Sequence, residues 1–328
     1  MNPKYSQIIG TGSYLPQKVL TNADLEKLVD TTDEWITTRT GIKERRIADE
    51  KEASSDLAFH AANFALQMAG IAPEEIDLII VATLSPDMTF PSTACLVQAM
   101  LGAKKAFAFD LSAACSGFVY ALSVADQFLK SGKYRYALVV GSEVISRVLD
   151  WMDRSTCVIF GDGAGAVILK GVNAKKGILS THLHSDGQFW DLLYIPGGGS
   201  RLPISEKVIA NRMHFLKMKG SETFKIAVRN LEEVAWEALN DLQLSVEDIA
   251  FMVPHQANIR IIKALTERLK FPEERVVINI DRCGNTSAAS IPIALDEVVR
   301  SGRVKEGDYL LFIAFGAGLT WGASIIKW

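Results

Sequence analysis

Three residues of this chain sit where their types could do carbonyl chemistry. Cys115 lies in FDLSAACSGF, where an apolar strand pattern gives way to the helical pattern SGFVYALSVADQFLKSG, which Gly132 can stop. A thiol at the start of a helix meets unpaired N–H groups and the positive end of the helix dipole, and both favour the thiolate. The small neighbours Ala113, Ala114, Ser116 and Gly117 leave room for a substrate. The placement follows the logic of a nucleophile elbow, although the motif is not GxSxG. His255 lies in VPHQAN, just past the apolar run FMV, with Gln256 and Asn258 as further polar groups. Ligands of open α/β sheets bind at such strand ends. Asn285 lies in DRCGNTSAAS after VVINI, which reads as another strand. A plain turn explains Gly-Asn equally well. FGAGLTWG, from Phe315, offers glycine-flanked N–H groups to a developing oxyanion, or simply a turn.

The elements that must carry these residues occur twice. ALQMAGIAPEEIDLII from Ala65 aligns without a gap to ALNDLQLSVEDIAFMV from Ala238, an offset of 173 (238 − 65). FDLSAACSG then approximately faces NIDRCGNTS, ALSVADQFLKSG faces ALDEVVRSG, and YALVVGSE faces YLLFIAFGAG, the offset drifting by only a few residues. Each series reads helix, strand, helix, strand, helix, strand, and such alternation implies parallel βαβ units. The strands are near-continuous apolar runs, as in a sheet covered on both faces. The expected fold is therefore α/β: two duplicated halves around a pseudo-twofold axis, residues 1–173 carrying the cysteine and 174–328 carrying the histidine and asparagine. The pseudo-twofold would bring the Cys115, His255 and Asn285 loops toward one site. The stretch 182–220, with PGGGS, does not fit the repeat and reads as an insertion in the second half, a loop or lid.

Composition bounds the rest. The chain has 328 residues, 48% of them hydrophobic, and a net charge of −3, enough for a large core and without the basic excess expected of a nucleic-acid binder. It shows no transmembrane run and no secretory pattern at the N-terminus, so a cytoplasmic protein is expected, with neither membrane nor nucleic acid as partner. Cys95, Cys115, Cys157 and Cys283 form no CxxC pair and no zinc spacing, so four reduced thiols and no metal are expected. All four cysteines, Cys115 included, are by default small inert hydrophobes, and His60, on a helical face, is expected to be structural. GDGAGAV lacks the Walker lysine, and GTGSYLP breaks GxGxxG at Leu15, which disfavours a nucleotide cofactor.

Taken together, DLSAACSGF, MDRSTCVIFGDGAGA, VPHQANIRI, GNTSAAS, FGAGLTWG and the early DEWITTRTGIKERR resemble the β-ketoacyl-acyl-carrier-protein synthase III family, the initiating condensing enzymes of bacterial fatty-acid synthesis. The resemblance runs nearly end to end. It implies a five-layered thiolase-like fold (αβαβα), a homodimer, and acyltransferase chemistry on acyl-coenzyme A and malonyl-acyl-carrier protein without a metal or redox cofactor. It implies a triad of Cys115, His255 and Asn285, with an oxyanion hole from the N–H groups of Cys115 and Ala317. Trp35 and Arg154 would flank the adenine of coenzyme A, with Arg39 near its phosphates and Gly220 also in that site. The carrier protein would meet Gln256, Ala257, Asn258, Ile259, Arg260 and Lys263, with Lys225, and Phe90 would reach the partner subunit's acyl pocket. The helix pattern NIRIIKALTERLK spreads Arg260 and Lys263 over a face that would suit an acidic partner, or merely water. Polyketide starter synthases and the synthase joining acetyl- and acetoacetyl-coenzyme A share these features. From other classes, a cysteine hydrolase and a non-catalytic acyl-thioester binder fit the same trio.

Overall fold

A computed structural model describes residues 3–328. Nine strands build two sheets. The first holds β1 (Tyr5–Tyr14), β2 (Leu78–Ala82), β3 (Phe107–Leu111), β4 (Tyr136–Glu143) and β5 (Gly163–Val172), in the order β1-β5-β4-β2-β3. The second holds β6 (Gly177–Ser185), β7 (Ile249–Pro254), β8 (Tyr309–Gly316) and β9 (Thr320–Lys327), in the order β7-β8-β9-β6. β2 runs parallel to β3 and β4, and β7 runs parallel to β8, so the functional loops leave each sheet from the same edge.

Between the sheets lie two helices, α4 (Gly117–Lys130) and α7 (Ser290–Arg300). Apolar residues recur on α4 as Phe118, Leu122, Ala125 and Leu129, and on α7 as Ile291, Ala294, Leu295 and Val298, the spacing of one helical face. They pack with Ile80 and Val139 of one sheet and with Val253 and Phe312 of the other, in a single buried cluster. Each such side chain contributes about 1.5–3 kcal/mol on burial. Alternate strand residues face outward. Ile79 and Val140 meet α2 (Ser54–Ala69) and α3 (Thr93–Leu101), whereas Met252 and Ile313 meet α5 (Gly220–Asp241) and α6 (Ile259–Leu269). The order helix, sheet, helix, sheet, helix is the thiolase-like arrangement. α1 (Asp33–Thr40) belongs to the long connection between β1 and α2.

Two expectations need correction. Residues 182–185 are not part of an insertion: they complete β6, the edge strand paired with β9. β1 pairs with β5 in the same way, so the repeat includes these edge strands as well. The excursion that follows β6 and ends at α5 corresponds to the one between β1 and α2. It contains a 3-10 turn (Gly187–Leu192), a short helix (Glu206–Ala210) and a two-residue ladder, Lys217–Met218 against Leu193–Tyr194. Nor is VVINI a strand: only Val276 bridges to Met252, so the second sheet lacks a counterpart of β3. Gln256 supplies the missing bonds. Its Nε2 donates to the carbonyls of Pro254 (2.9 Å) and Val277 (3.0 Å), and its Oε1 accepts from the N–H groups of Asn279 (3.0 Å) and Ile280 (3.2 Å).

Candidate active site

Two turns of the same shape meet at the centre. Ala114 before α4 and Ser287 before α7 are 173 positions apart (287 − 114), and both have left-handed backbones, with φ of 46° and 48°. Each begins a short 3-10 turn, Ala114–Ser116 and Ser287–Ala289, that runs into its helix. Close approach at the first turn needs a glycine: a Cβ on Gly316, at the end of β8, would lie 2.7 Å from the N atom of Cys115. The loop after β8 is tied to that turn. The Thr320 hydroxyl donates to the carbonyls of Ala113 and Ala317 (both 3.0 Å), and Ser116 Oγ donates to the Thr320 carbonyl (2.9 Å).

Cys115, His255 and Asn285 all line one cavity, open at its mouth. Cys115 is 5% exposed, and its surroundings correct the expectation of an acidic thiol at rest. Burial pushes the thiol up to about 12; the nearby Ser287 hydroxyl opposes this and the nearby Glu143 carboxylate adds to it. The α-helix proper begins only at Gly117. His255 follows β7, and its N–H donates to the Ile313 carbonyl (2.8 Å). Burial alone pushes its imidazole down to about 3, so it is neutral, and its Nδ1 finds no partner among the described residues. Asn285 is fixed by backbone bonds: its N–H donates to the Ile159 carbonyl (2.9 Å), and its own carbonyl accepts from Gly161 (3.0 Å). Its side-chain Oδ1 accepts from the Ser287 N–H (2.9 Å), which orients the amide and leaves Nδ2 as the available donor.

The mouth of the cavity gathers cations and an aromatic surface. Trp35, Arg39, Gly220, Lys225 and Arg260 line it. The Arg154 guanidinium lies over the Trp35 ring at 4.7 Å and donates to the Asp30 carbonyl (2.6 Å). Arg39 lies 5.6 Å from the same ring. Asn258 caps α6 by accepting from the Arg260 N–H (2.8 Å), and it donates to the Arg39 carbonyl (3.0 Å), which joins the two basic segments. Ala257 also lines the cavity, whereas Ile259 packs on Gly41 and Lys263 is exposed on α6. Gln256 is not a carrier-protein contact: it is 1% exposed, and its amide is spent on the four backbone bonds given above. The cavity wall beside Cys115 is formed by Phe315 and Gly316, with Ala317 one residue beyond. Phe90 is 81% exposed and outside the cavity. Sequence reasoning missed Glu143, Ser287 and Gly316. The offset of 173 finds them, since it maps Ser287 onto Ala114 and Gly316 onto Glu143.

The family model for 3-oxoacyl-[acyl-carrier-protein] synthase III matches residues 109–187, and the model for its C-terminal part matches residues 239–328. A β-ketoacyl-[acyl-carrier-protein] synthase III from Caldanaerobacter subterraneus subsp. tengcongensis is 56% identical over 321 residues, 98% of this chain and 97% of that protein. The crystal structure of the 3-oxoacyl-[acyl-carrier-protein] synthase III from Aquifex aeolicus is 54% identical, with a TM-score of 0.91 over 98% of this chain and all of that one (100%). A priming β-ketosynthase from the R1128 polyketide pathway is 39% identical, with a TM-score of 0.92 over 99% of this chain and 96% of that one. A repeated fold, a shared cavity and relatives matched nearly end to end agree: the chain belongs to the β-ketoacyl-[acyl-carrier-protein] synthase III family.

Proposed function

We propose that the chain catalyses the initiating condensation of fatty-acid synthesis, with an acyl group, acetyl in the simplest case, taken from coenzyme A and extended by malonyl-acyl-carrier protein. In the first half-reaction Cys115 attacks the thioester carbonyl, the bond to the coenzyme A sulfur breaks, and the thiol proton ends on that sulfur. N–H groups of Cys115 and Ala317 would hold the tetrahedral oxyanion. In the second, the malonyl carboxylate leaves as carbon dioxide, and the electron pair of the broken bond forms an enolate. Its oxygen accepts from Asn285 Nδ2 and from His255. A bare imidazole nitrogen is less costly in an apolar site than a stranded N–H, which favours the proton on Nε2, where it can be donated. The enolate carbon attacks the acyl carbonyl on Cys115, the carbon–sulfur bond breaks to release a β-ketoacyl thioester, and the departing Cys115 thiolate takes a proton from solvent to restore the thiol. No atom changes hands with an electron carrier, so the scheme is written without a redox cofactor or a metal.

The observation that supports this best is the single cavity lined by all three side chains, with a buried neutral imidazole opposite a buried thiol. Replacing His255 or Asn285 by Ala tests it. Each change should lower decarboxylative condensation about 10²–10³-fold, while acyl transfer from coenzyme A to Cys115 stays measurable. Equal loss of both half-reactions would overturn the assignment.

Arg260, Lys263 and Lys225 are exposed, and their charges suit an acidic carrier protein at the cavity mouth. Coenzyme A would enter past Trp35, Arg39 and Gly220. Its adenine would displace the Arg154 guanidinium from the indole or stack beside it. A homodimer is part of the same reading. β3 is the edge strand of the first sheet, and Phe90 (81% exposed) and Met88 (46%) project nearby in sequence, features that a second copy would cover. A monomeric sedimentation profile would contradict that part. No helix is long and apolar enough to cross a membrane among the described residues, and we place the reaction in the cytoplasm, where its substrates would be made.

A further inference from the structure

Glu143 is a fully buried carboxylate with no role in the scheme above. It accepts from Ser85 Oγ (2.6 Å), the Leu84 N–H (3.1 Å), Thr83 Oγ1 (3.3 Å) and the Ala288 N–H (3.4 Å). The internal repeat gives this arrangement meaning. Ala288 is the counterpart of Cys115 (288 − 115 = 173), and Glu143 is the counterpart of Gly316 (316 − 143 = 173). In one half the residue ending the strand is a glycine, and space is left beside the turn. In the other half a carboxylate occupies that place and takes the N–H equivalent to the one beside the nucleophile.

The two turns are linked by one hydroxyl. Ser287, itself buried, lies against both the Cys115 thiol and the Glu143 carboxylate, yet its Oγ completes a regular hydrogen bond with neither. A serine has a single O–H to give. The other acidic groups on the surrounding elements are committed elsewhere. Asp162 accepts from Ser146 and the Ala48 N–H, Asp87 from Ser55 and Thr93, Asp56 from the Ala53 N–H, and Asp110 from the N–H groups of Thr93 and Ala94. Asp126 pairs with Lys130 and Asp296 with Arg300. The titratable group that couples to Glu143 across the interface is Cys115 itself.

We propose that Ser287 is a donor shared between Cys115 and Glu143, and that the protonation of Glu143 decides which of them receives it, making Glu143 a positioning residue for the nucleophile. With Glu143 ionised, the hydroxyl turns to the carboxylate, and the adjacent negative charge opposes a thiolate. With Glu143 protonated, the hydroxyl donates to sulfur and stabilises the thiolate. Burial holds the Glu143 carboxyl at about 7, so both states are populated near neutrality.

This inference rests on Cys115 being the acyl acceptor, and its test is independent of any acyl substrate. The rate of Cys115 alkylation by iodoacetamide is measured against pH in the full-length protein, with the modified peptide resolved by mass from the other cysteines. Ser287→Ala should slow alkylation roughly tenfold at mildly acidic pH, where Glu143 is protonated and the hydroxyl is given to sulfur, the effect of about one unit in the thiol's acidity, and should change it little at mildly alkaline pH. Glu143→Gln should speed alkylation by a similar factor at mildly alkaline pH, where the wild-type carboxylate is ionised, and most of that gain should vanish when Ser287→Ala is added. An unchanged pH profile in Ser287→Ala, or slower alkylation in Glu143→Gln, overturns the proposal. Thermal melting checks that Glu143→Gln folds; if it does not, the Ser287→Ala arm decides alone. Acetylation of the wild type by acetyl-coenzyme A is run alongside. Its failure would remove the acyl-acceptor reading but leave the alkylation profiles valid.

Discussion

At the scale of residues, the site is a set of polar groups held in a dry place, and its acidities follow from that. His255 loses its charged form to burial, and the sign of the consequence can be worked out. Its folded value, about 3, lies below the ordinary 6.5. As pH falls through 6.5 the unfolded chain binds a proton that the folded chain cannot, so the stability tied to neutral His255 is present above that value and lost progressively toward about 3. Glu143 acts in the opposite sense between 4.5 and about 7, because there the folded chain keeps a proton that the unfolded chain releases. A comparison with His255→Asn isolates the first effect. The difference in melting temperature between wild type and variant should move against the wild type as pH is lowered from neutral, and a difference that stays constant would contradict it. The residue types proposed for the triad stood out in the sequence because each follows an apolar run. Their acidities did not, because a helix-start cysteine reads as activated until its depth is known, and depth is set by α7 and β8 from the other half.

Among elements, the glycine that ends β8 leaves little tolerance at the nucleophile's turn. Gly316→Ala puts a Cβ against the Cys115 N atom at 2.7 Å, with the Cys115 Cβ at 3.1 Å. The turn must shift, which costs about 1–3 kcal/mol. It would also disturb the N–H proposed to receive the oxyanion, so the variant should melt lower and lose acylation. A variant with wild-type acylation would show that this turn is not the oxyanion hole. The layered fold was legible from alternating strands and helical faces, repeated at one offset. Two segments were not. VVINI has the residues of a strand but lacks a full ladder partner, and Gln256, which stands in for that ladder, is distant in sequence from the run it holds. Residues 182–185 looked like insertion because β6 alternates polar residues such as His182 and His184 with smaller ones. Those histidines bond Glu237 on α5 (3.1 and 2.6 Å), a partner that no local pattern announces.

For the whole molecule, charge decides which substrates can arrive. The net charge is −3, yet the mouth of the cavity is basic through Arg39, Lys225 and Arg260. An acidic protein would therefore be steered to this edge, and the attraction would weaken as salt is added, since screening acts over about 8 Å at physiological ionic strength. Arg260→Glu should reduce turnover with malonyl-carrier protein while sparing acyl transfer from coenzyme A. Undiminished carrier-dependent turnover would exclude this face as the dock. The proposed chemistry requires the two halves to place the sulfur of one and the imidazole and amide of the other around a single reacting carbon. The most direct measurement is the intact mass of the protein after mixing with acetyl-coenzyme A and then with malonyl-acyl-carrier protein. One acetyl group should be gained on Cys115, remain stable in buffer, and then be lost with formation of acetoacetyl-carrier protein. An acetyl group that is lost to water, or that never forms while the thioester still binds, would contradict the proposed chemistry.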